Sequence, residues 1–175
     1  MTVSNSQKPN QQIIIKLQSK NEELVLETIE QLRSTGNLSY LPFLFEILRS
    51  SSNTQIKQAI LKLLADIKHI DIIPQLLAAI QDEKNAEIRK DLVSICWENG
   101  LDFCTNLPLF VDLVIKEELE VAFEAYTVII NMEGKITTEM LDSETGKMEA
   151  VLNKHGEQKK QLLIDIIDYL PQLSD

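Results

Sequence analysis

Several things are scarce in this 175-residue chain, and each scarcity excludes something. Two cysteines, Cys96 and Cys104, cannot build a disulfide framework, and no CxxC or Cys/His spacing suited to zinc accompanies them. Reduced, partly buried thiols are the expectation. Glycine and proline number five each, too few for a linker-rich or fibrous chain. Aromatic residues make up 5% of the sequence, with one tryptophan, so stacking platforms for single-stranded nucleic acid are not to be expected. No apolar run approaches the roughly 20 residues that span a bilayer. The triplet 13–15 is too short for a signal-peptide core. With nothing marking export, a cytoplasmic location is expected.

Positive charge is scarce too, and unevenly so. Net charge is −10, but residues 1–69 hold eight Lys/Arg against six Asp/Glu, whereas residues 70–175 hold nine against twenty-one. This argues against nucleic acid or an anionic membrane as the partner. A basic or amphipathic protein segment suits such a surface better, although acidity also serves solubility alone.

What is present is a repeated sentence. Residues 39–53 read SYLPFLFEILRSSSN, residues 71–85 read DIIPQLLAAIQDEKN, and residues 105–118 read TNLPLFVDLVIKEE. Pro42, Pro74 and Pro108 stand 32 and 34 residues apart. Ser39, Asp71 and Thr105 each precede a proline by three residues, which predicts N-caps with the proline at N3, where its missing N–H costs nothing. Self-similarity at this period marks a repeat array.

The predicted elements are ten helices in five pairs: 11–18 with 22–34, 40–49 with 54–68, 72–80 with 86–99, 106–116 with 118–132, and 138–154 with 157–170. Residues 1–10 are expected to fray. Gly36 with Asn37, Gly100, Gly134 and Pro171 are the expected stops, and Gly146 is expected to kink the ninth helix. The second helices share a phase. Ile56, Ile60, Leu63 and Leu64 align with Ile88, Leu92, Ile95 and Cys96, then with Val121, Ala125, Val128 and Ile129, and in part with Leu163 and Ile166. Gln55, Glu87, Glu120 and Gln158 form a polar column. One oily and one wet stripe therefore recur along the chain.

The chain resembles a HEAT-repeat array of the short bacterial kind. The resemblance is carried by the early proline of each first helix and by the polar turn at Asn53 and Asp82. Ile56 followed by Lys57, and Ile88 followed by Arg89, match the opening of the second helix; Val121 followed by Ala122 departs from it. The resemblance covers residues 20–134 well and the last forty weakly. It implies an all-α, right-handed α-solenoid (superhelix) of about five antiparallel helix pairs, an armadillo-type fold. The expected organisation is one domain over 11–175, with repeats at about 11–36, 37–69, 70–102, 103–134 and 135–175. In such arrays the second helices line the concave side. That would place Glu87, Asp91, Trp97, Glu98, Glu117, Glu120 and Glu124 on a mainly acidic partner-binding surface.

No catalytic constellation emerges. Residues 142–147 (DSETGK) lack the earlier glycine and later Ser/Thr of a phosphate loop. His69 and His155, each near a helix C-terminus, suit capping better than metal binding. Arg89 is expected to pair with Asp82 or Asp91. Trp97 suits core filling or a half-exposed anchor in the groove. The expectation is a non-catalytic protein-binding or scaffold module without cofactor. The alternatives are an enzyme on a HEAT-like scaffold, of the phycobiliprotein chromophore lyase or alkylation-repair DNA glycosylase type, and a self-assembling structural protein.

Overall fold

The apolar stripes read from the sequence become the buried faces of ten helices in the computed structural model, which describes residues 8–35 and 37–174. These are α1 (Gln11–Leu17), α2 (Glu22–Thr35), α3 (Leu41–Ser50), α4 (Thr54–Asp66), α5 (Ile72–Gln81), α6 (Arg89–Glu98), α7 (Leu107–Lys116), α8 (Leu119–Ile130), α9 (Thr138–Glu149) and α10 (Glu157–Tyr169). Four short 3-10 turns lie between them and a fifth follows α10, and no strand occurs among the described residues; one isolated parallel bridge links Ile136 to Ser174. The protein is all-helical.

The chain divides into two compact units, Met1–Ile95 and Cys96–Asp175, with the division inside α6. In the first unit α2 lies against both α1 and α4, and α4 also touches α3. In the second, α7 packs along α8, α8 against α10, and α7 against α9. The predicted apolar columns are the buried ones. Ile56, Ile60, Leu63 and Leu64 are buried, as are Ile88, Leu92, Ile95 and Cys96, then Ala125, Val128 and Ile129, and finally Leu163 and Ile166. One position departs: Val121 is half-buried and Ala122 is fully buried in its place. The phase has slipped by one residue at the first turn of α8, where the Ile-Lys/Arg opening of the earlier copies is missing.

The helix starts differ from expectation. A 3-10 turn precedes each proline-bearing helix of the second and fourth pairs, and the side-chain acceptor moves back to Asn37, just before the first turn, and to Asp102, two residues before the second. Asn37 Oδ1 accepts from Ser39 N–H at 2.9 Å, and Asp102 Oδ1 accepts from Cys104 N–H at 3.2 Å. Leu41 and Leu107 are then the first helical residues, so Pro42 and Pro108 stand at N2. Ser39 is not the cap; its hydroxyl is buried without a hydrogen-bond partner. Thr105 lies inside its 3-10 turn. Asp71 does occupy the N-cap position of α5, with Pro74 at N3, but makes no side-chain cap bond. His69 Nδ1 accepts the Asp71 N–H at 3.3 Å, so this histidine belongs to the lead-in of α5 rather than to the end of α4.

Other expectations divide. Asn53 caps α4, its Oδ1 accepting from Gln55 N–H and Ile56 N–H at 2.8 and 3.2 Å. Asp82 Oδ1 accepts from Lys84 N–H in the turn after α5. Gly100 ends α6 with φ +64°, the left-handed region that only glycine enters freely. Gly134 works by close approach instead: a Cβ there would overlap Asp102 Oδ2. The expected cap at Gly36 lies outside the described residues, as do residues 1–7 of the expected frayed end. Asn10, by contrast, is held, its N–H donating to Tyr40 Oη at 2.8 Å. Gly146 does not kink α9, which runs unbroken to Glu149, and Glu144 is buried within it, bound by Lys147 Nζ at 2.8 Å. Helix α10 does stop before Pro171, at Tyr169, and the proline lies in a further 3-10 turn, Leu170–Leu173. Arg89 reaches the Ile80 carbonyl through Nε at 3.0 Å and Glu83 Oε1 at 3.0 Å. It thereby joins the end of α5 to the start of α6.

In the second unit a lysine closes a helix end. Lys159 Nζ donates to the carbonyls of Ile115 and Glu117 at 2.8 and 2.6 Å, where α7 has run out of its own donors.

Leu63→Ala and Leu163→Ala are each expected to lower stability by about 2–5 kcal/mol, whereas Lys62→Ala on the wet face of α4 should stay within about 0.5 kcal/mol. Thermal and urea melts check this, and equal effects at all three positions would refute the register. Lys159→Met should cost about 1–3 kcal/mol by leaving charge-assisted hydrogen bonds unmade.

Candidate functional site

Helix α8 carries the acid-rich face. Across residues 117–134 there are five glutamates and no Lys or Arg. Leu119, Glu120, Phe123, Glu124, Thr127 and Asn131 recur at helical spacing and form one stripe, none of them buried. Two of them are large apolar side chains left in water: Phe123 is 53% exposed and Leu119 is 38% exposed. The Phe123 ring lies 6.1 Å from that of Tyr126.

Trp97, from the last turn of α6, joins this stripe. It is 39% exposed, and its Nε1–H donates to Glu124 Oε2 at 2.9 Å. Core filling is therefore not its role; the carboxylate holds the indole at the surface. Beside it lies a recess of about 180 Å³, lined by Trp97, Asp102, Phe103, Val128, Asn131 and Glu133 among others. Met132, another residue of its wall, accepts a hydrogen bond at its carbonyl from Tyr169 Oη at 2.8 Å. Burial, then Cys104, Glu133 and Asp102, raise the Tyr169 pKa above the ordinary tyrosine value.

The residues expected at a partner surface fall in both units. Glu87 and Asp91 belong to the first, Glu87 exposed and Asp91 half-buried. Trp97, Glu98, Glu117, Glu120 and Glu124 belong to the second, where Glu98 and Glu120 are exposed and Glu117 and Glu124 half-buried. Direct contact joins Trp97 and Glu124. Phe123 was not among the expected residues, yet the repeat announces it. Its aligned positions, Gln58 and Lys90, are polar and exposed, so a phenylalanine there stands in a wet column.

The remaining reactive groups are shielded. Cys96 and Cys104 are buried free thiols. Burial pushes the Cys96 pKa far up, and burial together with Asp102 pushes Cys104 up to about 11. Such thiols are poor nucleophiles at neutral pH. The His155 pKa is lowered by desolvation and then by Lys159 and Lys154, so the positive charge expected there is disfavoured. Among the described residues, no group of three or more His, Cys, Asp or Glu side chains could hold a metal ion. Nor is any helix long and apolar enough to cross a membrane.

No protein-family model matches the sequence, and no curated protein is significantly similar to it. The reading of this face therefore rests on its own chemistry.

At about pH 8 both thiols should stay unmodified in the folded protein under conditions where the urea-unfolded chain reacts completely with a chromogenic disulfide reagent. The unfolded thiols ionise near their ordinary value of 9.0 while the folded Cys104 keeps its proton to about 11. Stability is thus fully present below pH 9 and should fall as pH rises from about 9 towards about 11. Urea melts across that range check it; a flat profile would show that the thiols ionise alike in both states.

Proposed function

We propose that this chain is a non-catalytic protein-binding or scaffold module that engages a basic or amphipathic protein segment through its acidic second-helix faces. We further infer that its helices belong to antiparallel HEAT-like hairpins packed in the manner of a right-handed α-solenoid. The packing reading is supported by α2 lying on α4, by α8 lying on α10, and by α7 lying on α9, which are neighbours of like position in successive pairs. It is also supported by the polar turns capped by Asn53 and Asp82.

One observation carries the binding reading: Trp97 is kept half in water by a hydrogen bond to Glu124. Burying an indole stabilises a fold, so a tryptophan held at the surface by a carboxylate is available to something else. Tryptophan is also enriched where partners bind most strongly. The surrounding glutamates disfavour nucleic acid, whose phosphates would meet like charge. An enzyme of the lyase or glycosylase type gains no support from the shielded thiols.

The test is capture from the native cell extract on the immobilised protein, compared with Glu120→Lys/Glu124→Lys. Proteins held by the wild type and lost by the double variant are the expected result. Identical retention by both, or none by either, would reject the reading. Duplex DNA should show no appreciable affinity at physiological salt.

A further inference from the structure

The exposed face of α8 is more specific than an acidic surface. From Leu119 to Asn131 its stripe follows one side of a helix that is about 18 Å long at 1.5 Å per residue. Apolar and acidic residues are segregated along it: Leu119 and Phe123 lie four residues apart, and Glu120 and Glu124 lie beside them with the same spacing. Trp97 stands on the acidic side of the stripe, held by Glu124 beside the recess. The flanks keep the same sign, with Glu117 and Glu118 before the helix and Glu133 after it.

We propose that this stripe is a docking track for one amphipathic helix of another protein, about three turns long, whose apolar edge packs on Leu119 and Phe123 and whose Lys or Arg side chains meet Glu120 and Glu124 beside Trp97. The proposal rests on the protein-binding reading above and names the partner's chemistry. Charge complementarity selects this occupant: a segment with acidic flanks would bring like charge against Glu120 and Glu124, and a neutral one would bring no opposite charge to them. A second copy of this chain is disfavoured on the same ground, since α8 against α8 would set glutamates against glutamates. An amphipathic helix laid in an apolar groove is an established way of reading residues at i and i+4. The exposed aromatics supply the contact area, and the carboxylates fix the direction and reject the wrong sign.

The experiment uses the full chain and three synthetic peptides free of tryptophan: a Lys/Arg-bearing amphipathic helix of about twelve residues, the same composition with its apolar residues scattered, and the same apolar edge flanked by Glu. Fluorescence of Trp97, the sole tryptophan, and amide shifts on α8 report binding. The first peptide should bind, perturb Trp97 and weaken as salt rises. Scattering the apolar residues or reversing the charge should each weaken binding at least about tenfold. Phe123→Ser should lose about tenfold for the first peptide while its melting temperature stays unchanged, because that ring is already half in water. Glu124→Gln, which keeps the shape and removes the charge, should lose affinity and flatten the salt dependence. Equal binding of the ordered and scattered peptides would reduce the face to a non-specific anionic surface and overturn the proposal. Concentration-dependent dimerisation abolished by Phe123→Ser would overturn it in favour of a second copy. If cell proteins are retained through Glu120 and Glu124 but none of the peptides binds, the protein-binding reading stands and the helix-docking inference fails.

Discussion

Helices of seven to fourteen residues do not persist in water on their own, and every α-helix here is that short. Each depends on having its apolar stripe covered by a neighbour. That dependence sets the architecture. Ile56, Ile60, Leu63 and Leu64 on α4 face inward together because 3.6 residues per turn bring them to one side. The same spacing brings Ala122, Ala125, Val128 and Ile129 together on α8. In the first unit α2 and α3 both lie against α4; in the second α7, α8 and α10 cover one another. The polar residues are then left where carbonyls and N–H groups must be finished, as at Asn53 over the start of α4 and Arg89 over the end of α5.

The buried columns were legible in the sequence because periodicity reports the side of a helix that is removed from water. Ten helices and most of their bounds follow from it. The lead-in turns were not legible in the same way. A Ser or Thr three residues before a proline is compatible with an N-cap, but it is equally compatible with a place inside a 3-10 turn. Only the path of the chain decides that Asn37 and Asp102 accept the bonds and that the Ser39 hydroxyl has none. Gly146 misled for a related reason: glycine weakens a helix, yet Glu144 bound to Lys147 and the buried Met148 hold α9 in place around it.

The candidate face shows a finer version of the same limit. The acid column on α8 could be read from composition and spacing, and so could the choice between core and surface for Trp97, though not its outcome. That outcome depends on Glu124, twenty-seven residues away, coming within hydrogen-bonding distance of the indole. Phe123 was legible in principle, since its counterparts Gln58 and Lys90 are wet, but a search for polar chemistry passes over an apolar residue in a polar column. A face of this kind combines two opposed preferences. Its aromatics favour leaving water, and its glutamates favour staying in it. The arrangement is satisfied best when something apolar and cationic arrives together.

The Lys159 clasp has a bearing on motion. Its ammonium belongs to α10, but the two carbonyls it holds are at the end of α7, more than forty residues earlier. If the last helix lifts away, those oxygens lose their donor at the same moment that the side of α8 under α10 meets solvent. Peeling of α10 and unravelling of the final turn of α7 are thus a single opening event, and the amides of both segments would trade their hydrogens with water at a common rate.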